Sequence, residues 1–239
     1  MLVIEIADIA IGLDNRFEFI EKFARDYITD KAPLFTVNAS DEDIEEERKI
    51  AEANYPDDYL ESIVMYRKIA EKISEYDALV FHGAVLELDG KAYAVTAHSG
   101  VGKTTHVRLW LSEFGDRVRI LNGDKPILRV IDGKIYACGT PWRGKENYGV
   151  NAMRELCGIA FLKRGEINLA RKIESREVTL RFMNQIYLAK KDALMMSRTL
   201  RLADRILRSV PLYELECNMD IEAARVAYKA LTSGVESTQ

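Results

Sequence analysis

Residues 97–104 read Ala97-His98-Ser99-Gly100-Val101-Gly102-Lys103-Thr104. The stretch fits the pattern G-x-x-x-x-G-K-[ST] at every position but the first, where Ala97 stands in the place of glycine. Each residue type in that pattern has a physical use. Glycines let the backbone wrap closely around a phosphate, and the N-terminus of a following helix supplies aligned N–H donors. A lysine ammonium neutralises β/γ oxygens, and a threonine hydroxyl reaches Mg²⁺. The pattern needs a strand before it and a helix after it. Ala92-Tyr93-Ala94-Val95-Thr96 alternates as a strand does, and residues 103–113 read as a helix. Ser99, Gly100, Val101, Gly102, Lys103, Thr104 and Thr105 are therefore expected to hold a nucleoside triphosphate, with Mg²⁺ on Thr104. His98 and His106, which flank the loop, read as local packing or hydrogen-bonding residues.

Working outward, Val85-Leu86-Glu87-Leu88, the turn Asp89-Gly90 and residues 92–96 make a hairpin that runs straight into the loop. Strands follow at 118–121, 127–131 and 135–138, the last two joined at Asp132-Gly133. Beyond an irregular loop at 139–149, the pattern predicts a strand near 158–162, helices near 175–188 and 192–209, a strand at 212–217 and a helix from Asp220. Upstream, residues 2–13 read as two strands broken near Ala7-Asp8, and the aromatic segment Phe17, Phe19, Ile20, Phe23, Tyr27 reads as a helix. Ser40 and Asp43 form a capping box at the head of an acidic run, so Asp41 to Glu47 reads as a helix start and not as a binding surface. A helix over 57–75 places Leu60, Ile63, Val64, Ala70 and Ile73 on one face.

The chain has 239 residues, 48% hydrophobic and 30% charged, with a formal net charge of −4. That length suits one α/β domain, with residues 1–78 packing on a core at 79–232 and a frayed tail at 233–239. The negative balance argues against nucleic acid as the main partner. No segment approaches the roughly 20 apolar residues of a membrane span, and the N-terminus lacks the form of a signal peptide. Cys138, Cys157 and Cys217 are odd in number and far apart, which implies buried thiols in a reducing cytoplasm.

An ordinary nucleotide-binding phosphate loop sits behind a parallel βαβ unit. Here the loop is entered from a hairpin, which points to a mixed, mostly antiparallel sheet of the phosphoenolpyruvate carboxykinase-like kind. The order Phe81-His82-Gly83, the hairpin, Ser99 to Thr104, Gly115 and Asn122-Gly123-Asp124 resembles the catalytic domain of the HPr kinase/phosphorylase, a protein-serine kinase. Tyr59-Leu60-Glu61-Ser62, Tyr66-Arg67-Lys68, Asp124-Lys125-Pro126, Gly139-Thr140-Pro141-Trp142, Gly144-Lys145 and Cys217-Asn218-Met219-Asp220 resemble the short, stand-alone HPr kinase-like proteins of bacteria. The resemblance runs through nearly the whole chain.

It implies roles for residues outside the loop. The HPr kinase pattern ends the strand after the loop helix in two aspartates, one toward the metal and one toward the serine hydroxyl; here Gly123 replaces the first, so Asp124 would serve as base, metal ligand or both. His82 would orient Asp124 or tune its pKa. In the 139–149 loop, Arg143 and Lys145 would close over the triphosphate, with Trp142 anchoring the loop or stacking on a base. Basic pairs at Lys163-Arg164, Arg171-Lys172 and Lys190-Lys191 read as solvated faces. The resulting expectation is an ATP- and Mg²⁺-dependent kinase acting on a serine or other hydroxyl of a protein or peptide. The alternatives are a small-molecule hydroxyl kinase and a nucleotide-binding regulator with little turnover. Homo-oligomerisation is left open, because the first 78 residues do not match the N-terminal domain of the hexameric HPr kinases.

Overall fold

The computed structural model describes residues 1–189 and 192–233. The expectations for Lys190-Lys191 and for residues 234–239 lie outside the described residues, while Ser233, assigned above to a frayed tail, ends the last helix.

The N-terminal layer is built on a hairpin. Leu2–Ile6 (β1) and Ile9–Asp14 (β2) pair antiparallel across Ala7-Asp8, whose φ angles of 54° and 55° give the left-handed turn that matches strand twist. The aromatic segment is not one helix. It divides into Phe19–Phe23 (α1) and a tight turn at Arg25–Tyr27, with Ile20, Ala24 and Tyr27 all buried in the same core. Phe35–Asn38 (β3) then adds parallel to β2, a strand that sequence reading missed. Asp41–Ile50 (α2) opens with the expected capping box: Asp43 N donates to Ser40 Oγ at 3.1 Å, and Ser40 N donates to Asp43 Oδ2 at 2.9 Å. Asp57–Lys72 (α3) lays Met65, Tyr66 and Ile69 against Ile4, Ile9 and Ile11.

The main sheet contains Ala78–Val80 (β4), Ala84–Leu88 (β5), Lys91–Thr96 (β6), Val118–Asn122 (β7), Ile127–Ile131 (β8), Lys134–Cys138 (β9), Met153–Arg164 (β10), Leu169–Ile173 (β11) and Leu212–Cys217 (β12). Its order is β4-β8-β9-β10-β6-β5-β7, with β12 on β10 and β11 on β12. Most pairs are antiparallel, and the fold is mixed α/β, as expected. β10, at 12 residues, is much longer than the strand read near 158–162. Its first part runs antiparallel to β9, and its second part runs parallel to both β6 and β12. The carboxyl ends of three parallel strands therefore come together.

Helices Lys103–Phe114 (α4), Ser175–Met183 (α5), Ala193–Ser209 (α6) and Glu222–Ser233 (α7) cover both faces. Val85, Ala94 and Phe161 face Leu202 and Ile206 of α6, while Leu86, Val95 and Ala160 face Trp110 of α4 and Ala224 of α7. That double cover is why β5 is buried along its whole length, where alternation alone suggested one wet face. Only Cys138 is fully buried; Cys157 and Cys217 are half-buried, which corrects the expectation for all three thiols. No helix among the described residues is long and apolar enough to cross a membrane.

Candidate functional site

The loop at 97–102 leaves the carboxyl end of β6 and opens α4 at Lys103. Gly100 and Gly102 have φ of 76° and 124°, conformations that side-chain-bearing residues avoid. Ala97 lies outside the left-handed region, so its departure from glycine carries no strain. Its carbonyl instead accepts a hydrogen bond from Lys103 Nζ at 3.0 Å. The first-turn N–H groups of α4 have no intrahelical acceptors and point out of the helix start. Ser99, Gly100, Thr104 and Thr105 are exposed, and Val101, Gly102 and Lys103 are half-buried. Burial lowers the Lys103 pKa, and the charge of Asp124 opposes that shift without cancelling it.

Arg164, at the end of β10, reaches this loop. Its Nε donates to Val101 O at 3.1 Å and its Nη2 donates to Gly100 O. Arg164 is exposed, as expected of a solvated Lys163-Arg164 face, and its guanidinium also bonds these two loop carbonyls. Lys163 pairs with Glu216 at 3.2 Å and Arg171 with Glu177 at 2.9 Å, both on the surface.

Asp124 is aimed by a residue to which sequence reading gave no role of its own. Asn122, fully buried at the end of β7, accepts from Asp124 N at 2.8 Å and from Lys125 N at 2.7 Å through Oδ1. Its Nδ2 donates to Thr140 Oγ1 at 3.0 Å and to Trp142 O at 3.2 Å, which ties the turn to the 139–149 loop. Asp124 Oδ1 lies 3.4 Å from His82 Nε2, and Gly83 N donates to Asp124 O at 3.0 Å. His82 itself is fixed by its own backbone: its N donates to Gln185 O at 2.6 Å, and its O accepts from Thr96 Oγ1 at 2.9 Å. Burial alone would raise the Asp124 pKa, but the His82 hydrogen bond and the charges of Lys125, His82 and Lys103 outweigh it, and the carboxylate is held below its ordinary value. His82, Asp124 and Lys103 are thereby brought into one electrostatic neighbourhood.

The 139–149 loop lies across Asp124. A Cβ on Gly144 would stand 2.8 Å from Asp124 Cβ, and one on Gly123 would stand 3.2 Å from Arg143 O and 3.3 Å from Tyr148 Cβ. Gly123 is thus a point of close backbone approach. Trp142 is 3% exposed, stacks on Tyr66 at 4.2 Å and donates Nε1–H to Ser62 O at 3.2 Å. It anchors the loop in the N-terminal core and has no face free for a base, which corrects that expectation. Arg143 is not brought to the glycine loop either: its Nη2 lies 3.1 Å from Asp26 Oδ2, and the guanidinium sits over Tyr27 at 5.8 Å. Lys145 is exposed, and neighbouring Glu146 ties the loop to α4 through Arg108 at 2.7 Å.

His106 is a packing residue as expected: it is buried, and its Nε2 accepts from Trp110 Nε1 at 3.0 Å. His98 is exposed.

Neither protein-family models nor curated proteins give a match to the chain. Among solved structures, it is similar to the Hpr(Ser) kinase/phosphatase from Coxiella burnetii, with 9% sequence identity and a TM-score of 0.40. The alignment covers 67% of this chain and 99% of that one.

Proposed function

We propose that this chain is an ATP-dependent kinase of the HPr kinase-like type, passing the γ-phosphate to a serine or other hydroxyl of a protein or peptide. The observation that carries the reading is the shared neighbourhood of Lys103, at the head of α4 behind a glycine loop, and an ionised Asp124 held by His82. A triphosphate would lie along residues 99–105, where first-turn N–H groups and the Lys103 ammonium balance its charge. Asp124 would accept the hydroxyl proton as the acceptor oxygen bonds to the γ-phosphorus and the bond to the departing nucleoside diphosphate breaks. A carboxylate of lowered pKa is a weak base, but a loose phosphoryl-transfer transition state asks chiefly for positioning and charge balance.

Among the described residues no group of three or more His, Cys, Asp or Glu could hold a metal unaided. Mg²⁺ usually takes one or two protein oxygens and completes its shell with phosphate and water. Thr104 and Asp124 fit that donor set, and the ion would supply charge neutralisation between the β- and γ-phosphates. The free thiols of Cys138, Cys157 and Cys217 support a cytoplasmic setting.

The acceptor class rests on the motif resemblance. Incubation with γ-labelled ATP, Mg²⁺ and a lysate of the source cell tests it: label in protein supports the reading, and label in small molecules moves the assignment to a small-molecule kinase. A second reading, a nucleotide-binding regulator with little turnover, is favoured by Gly123, which stands where the kinase pattern has its first acid. Its Cβ position lies 3.2 Å from Arg143 O and 3.3 Å from Tyr148 Cβ, so that a second acid there would need the loop to shift by a few tenths of an ångström. ATP binding without any transfer or hydrolysis would select it.

A further inference from the structure

The main chain of Lys125 is seated from three sides. Its N–H donates to Asn122 Oδ1 at 2.7 Å, and its carbonyl oxygen accepts from Tyr66 Oη at 2.7 Å and from Thr140 Oγ1 at 2.9 Å. The three partners come from β7, α3 and the 139–149 loop, and all are buried. Burial pushes the Tyr66 phenol above its ordinary pKa, so it stays a neutral donor. Pro126 follows with its φ fixed by the ring, and its carbonyl accepts from Phe81 N at 3.0 Å.

The side chain that this frame carries is unbound. It is 39% exposed, and among the described residues Nζ has no hydrogen bond; it lies 4.0 Å from Asp124 Oδ2. His82 Nε2 meets the other carboxylate oxygen, Oδ1, at 3.4 Å, so the two oxygens have different neighbours. An ammonium that served only to neutralise a carboxylate would close to hydrogen-bonding distance, as Lys134 does on Glu155 at 3.0 Å. Lys125 stops short of Asp124 with its three N–H donors open.

Charge balance gives those donors a use. Lys103 and Lys125 both act on one carboxylate, an excess of one positive charge before His82 is counted. An incoming anion beside Asp124 would balance it. A cation this close to the oxygen that takes the hydroxyl proton is also close to the attacking oxygen and to the phosphorus it attacks.

We infer that Lys125 is a catalytic residue of the proposed transfer, its ammonium touching the γ-phosphoryl group as that group passes to the acceptor beside Asp124. The acceptor oxygen bonds to phosphorus, the bond from phosphorus to the bridging oxygen of the departing nucleoside diphosphate breaks, and the hydroxyl proton goes to Asp124. Lys125 gives up no proton and supplies positive charge to the equatorial oxygens. It fills the place expected for Arg143, which is turned to Asp26. The inference rests on the kinase reading.

Calorimetry on the full chain tests it, with ADP·Mg²⁺ alone and with ADP·Mg²⁺ plus aluminium fluoride, a planar anionic mimic of the phosphoryl group in transfer. The fluoride should tighten ADP binding by at least ~10-fold in the parent, as a transition-state mimic does. Lys125→Met should lose most of that tightening and leave the affinity for ADP alone within about 2-fold, while Lys125→Arg, which restores the charge, keeps part of it. Because the side chain is half-exposed and bonds to nothing, the variants should fold as the parent does by circular dichroism. In turnover of ATP, Lys125→Met should lower kcat by at least ~10-fold with little change in KM. Full tightening by fluoride in Lys125→Met, or an equal loss with ADP alone, would overturn the inference and spare the kinase reading. A parent that bound ADP with no gain from fluoride and showed no turnover would remove that reading, and the inference with it.

Discussion

Arg164 Nε donates to the carbonyl oxygen of Val101 at 3.1 Å, fastening the end of β10 to the glycine loop. Through Nη2 the same side chain also holds Gly100 O. Two carbonyls occupied in this way turn their negative ends to a cation, where a bound phosphate would otherwise meet them. Arg164→Ala should weaken ATP·Mg²⁺ binding by about 10-fold, the worth of one or two lost charge-assisted bonds, with Arg164→Lys falling between. Titration calorimetry reads the difference. Parent-like affinity in Arg164→Ala would reduce the contact to surface decoration.

Asp124→Asn keeps the shape of the turn and removes the negative charge. Phosphoryl transfer, or ATP hydrolysis where no acceptor is in hand, should fall by at least ~100-fold with a smaller change in ATP affinity. A variant turning over at the parent's rate would make Asp124 a turn residue only.

The pH profile carries a signed expectation. With its pKa depressed in the folded state, Asp124 stays ionised down to below the ordinary aspartate value, and the stability it contributes is present above that value and lost as pH falls through the folded one. His82→Ala removes the hydrogen bond that lowers the pKa and leaves the burial that raises it. The acid limb of kcat/KM should therefore move to higher pH in that variant. A limb that stayed in place would show that His82 does not act through Asp124.

Asn122 supplies both the Asp124 turn and the 139–149 loop with bonds from a fully buried side chain. Asn122→Ala strands several buried partners at once and should cost about 2–4 kcal/mol of stability in urea unfolding. A loss within about 0.5 kcal/mol, the range of an ordinary surface substitution, would deny it that bridging role.

Much of this architecture was legible in residue order, and what was not has a physical cause. β8 and β12 begin and end where read, because their apolar runs are bounded by Pro126, Asp132-Gly133 and Pro211. β11, Leu-Ala-Arg-Lys-Ile, is too polar to announce itself, and it is a strand because β12 offers it an edge. Lys103 was marked by the spacing of the glycine loop, whereas Asp124 and His82 were marked by the motif resemblance, which also set His82 beside Asp124. Arg164 was not, since its partners lie more than sixty positions away and its neighbour Lys163 does face solvent. The direction of Arg143 was hidden for the same reason: loop composition showed a cation, but Asp26, 117 positions away, decides where it points.

The central claim is that residues 97–104 hold the phosphates of a nucleoside triphosphate, and Lys103→Ala tests it most directly. The ammonium is half-buried against Ala97 O and belongs to no core cluster, so the variant should fold as the parent does by circular dichroism and thermal melting. Calorimetry with ATP·Mg²⁺ should show tight binding in the parent and a loss of at least ~10-fold in the variant, as removal of a phosphate-pairing charge requires. Equal affinity in the two proteins, or none in the parent, would contradict the claim.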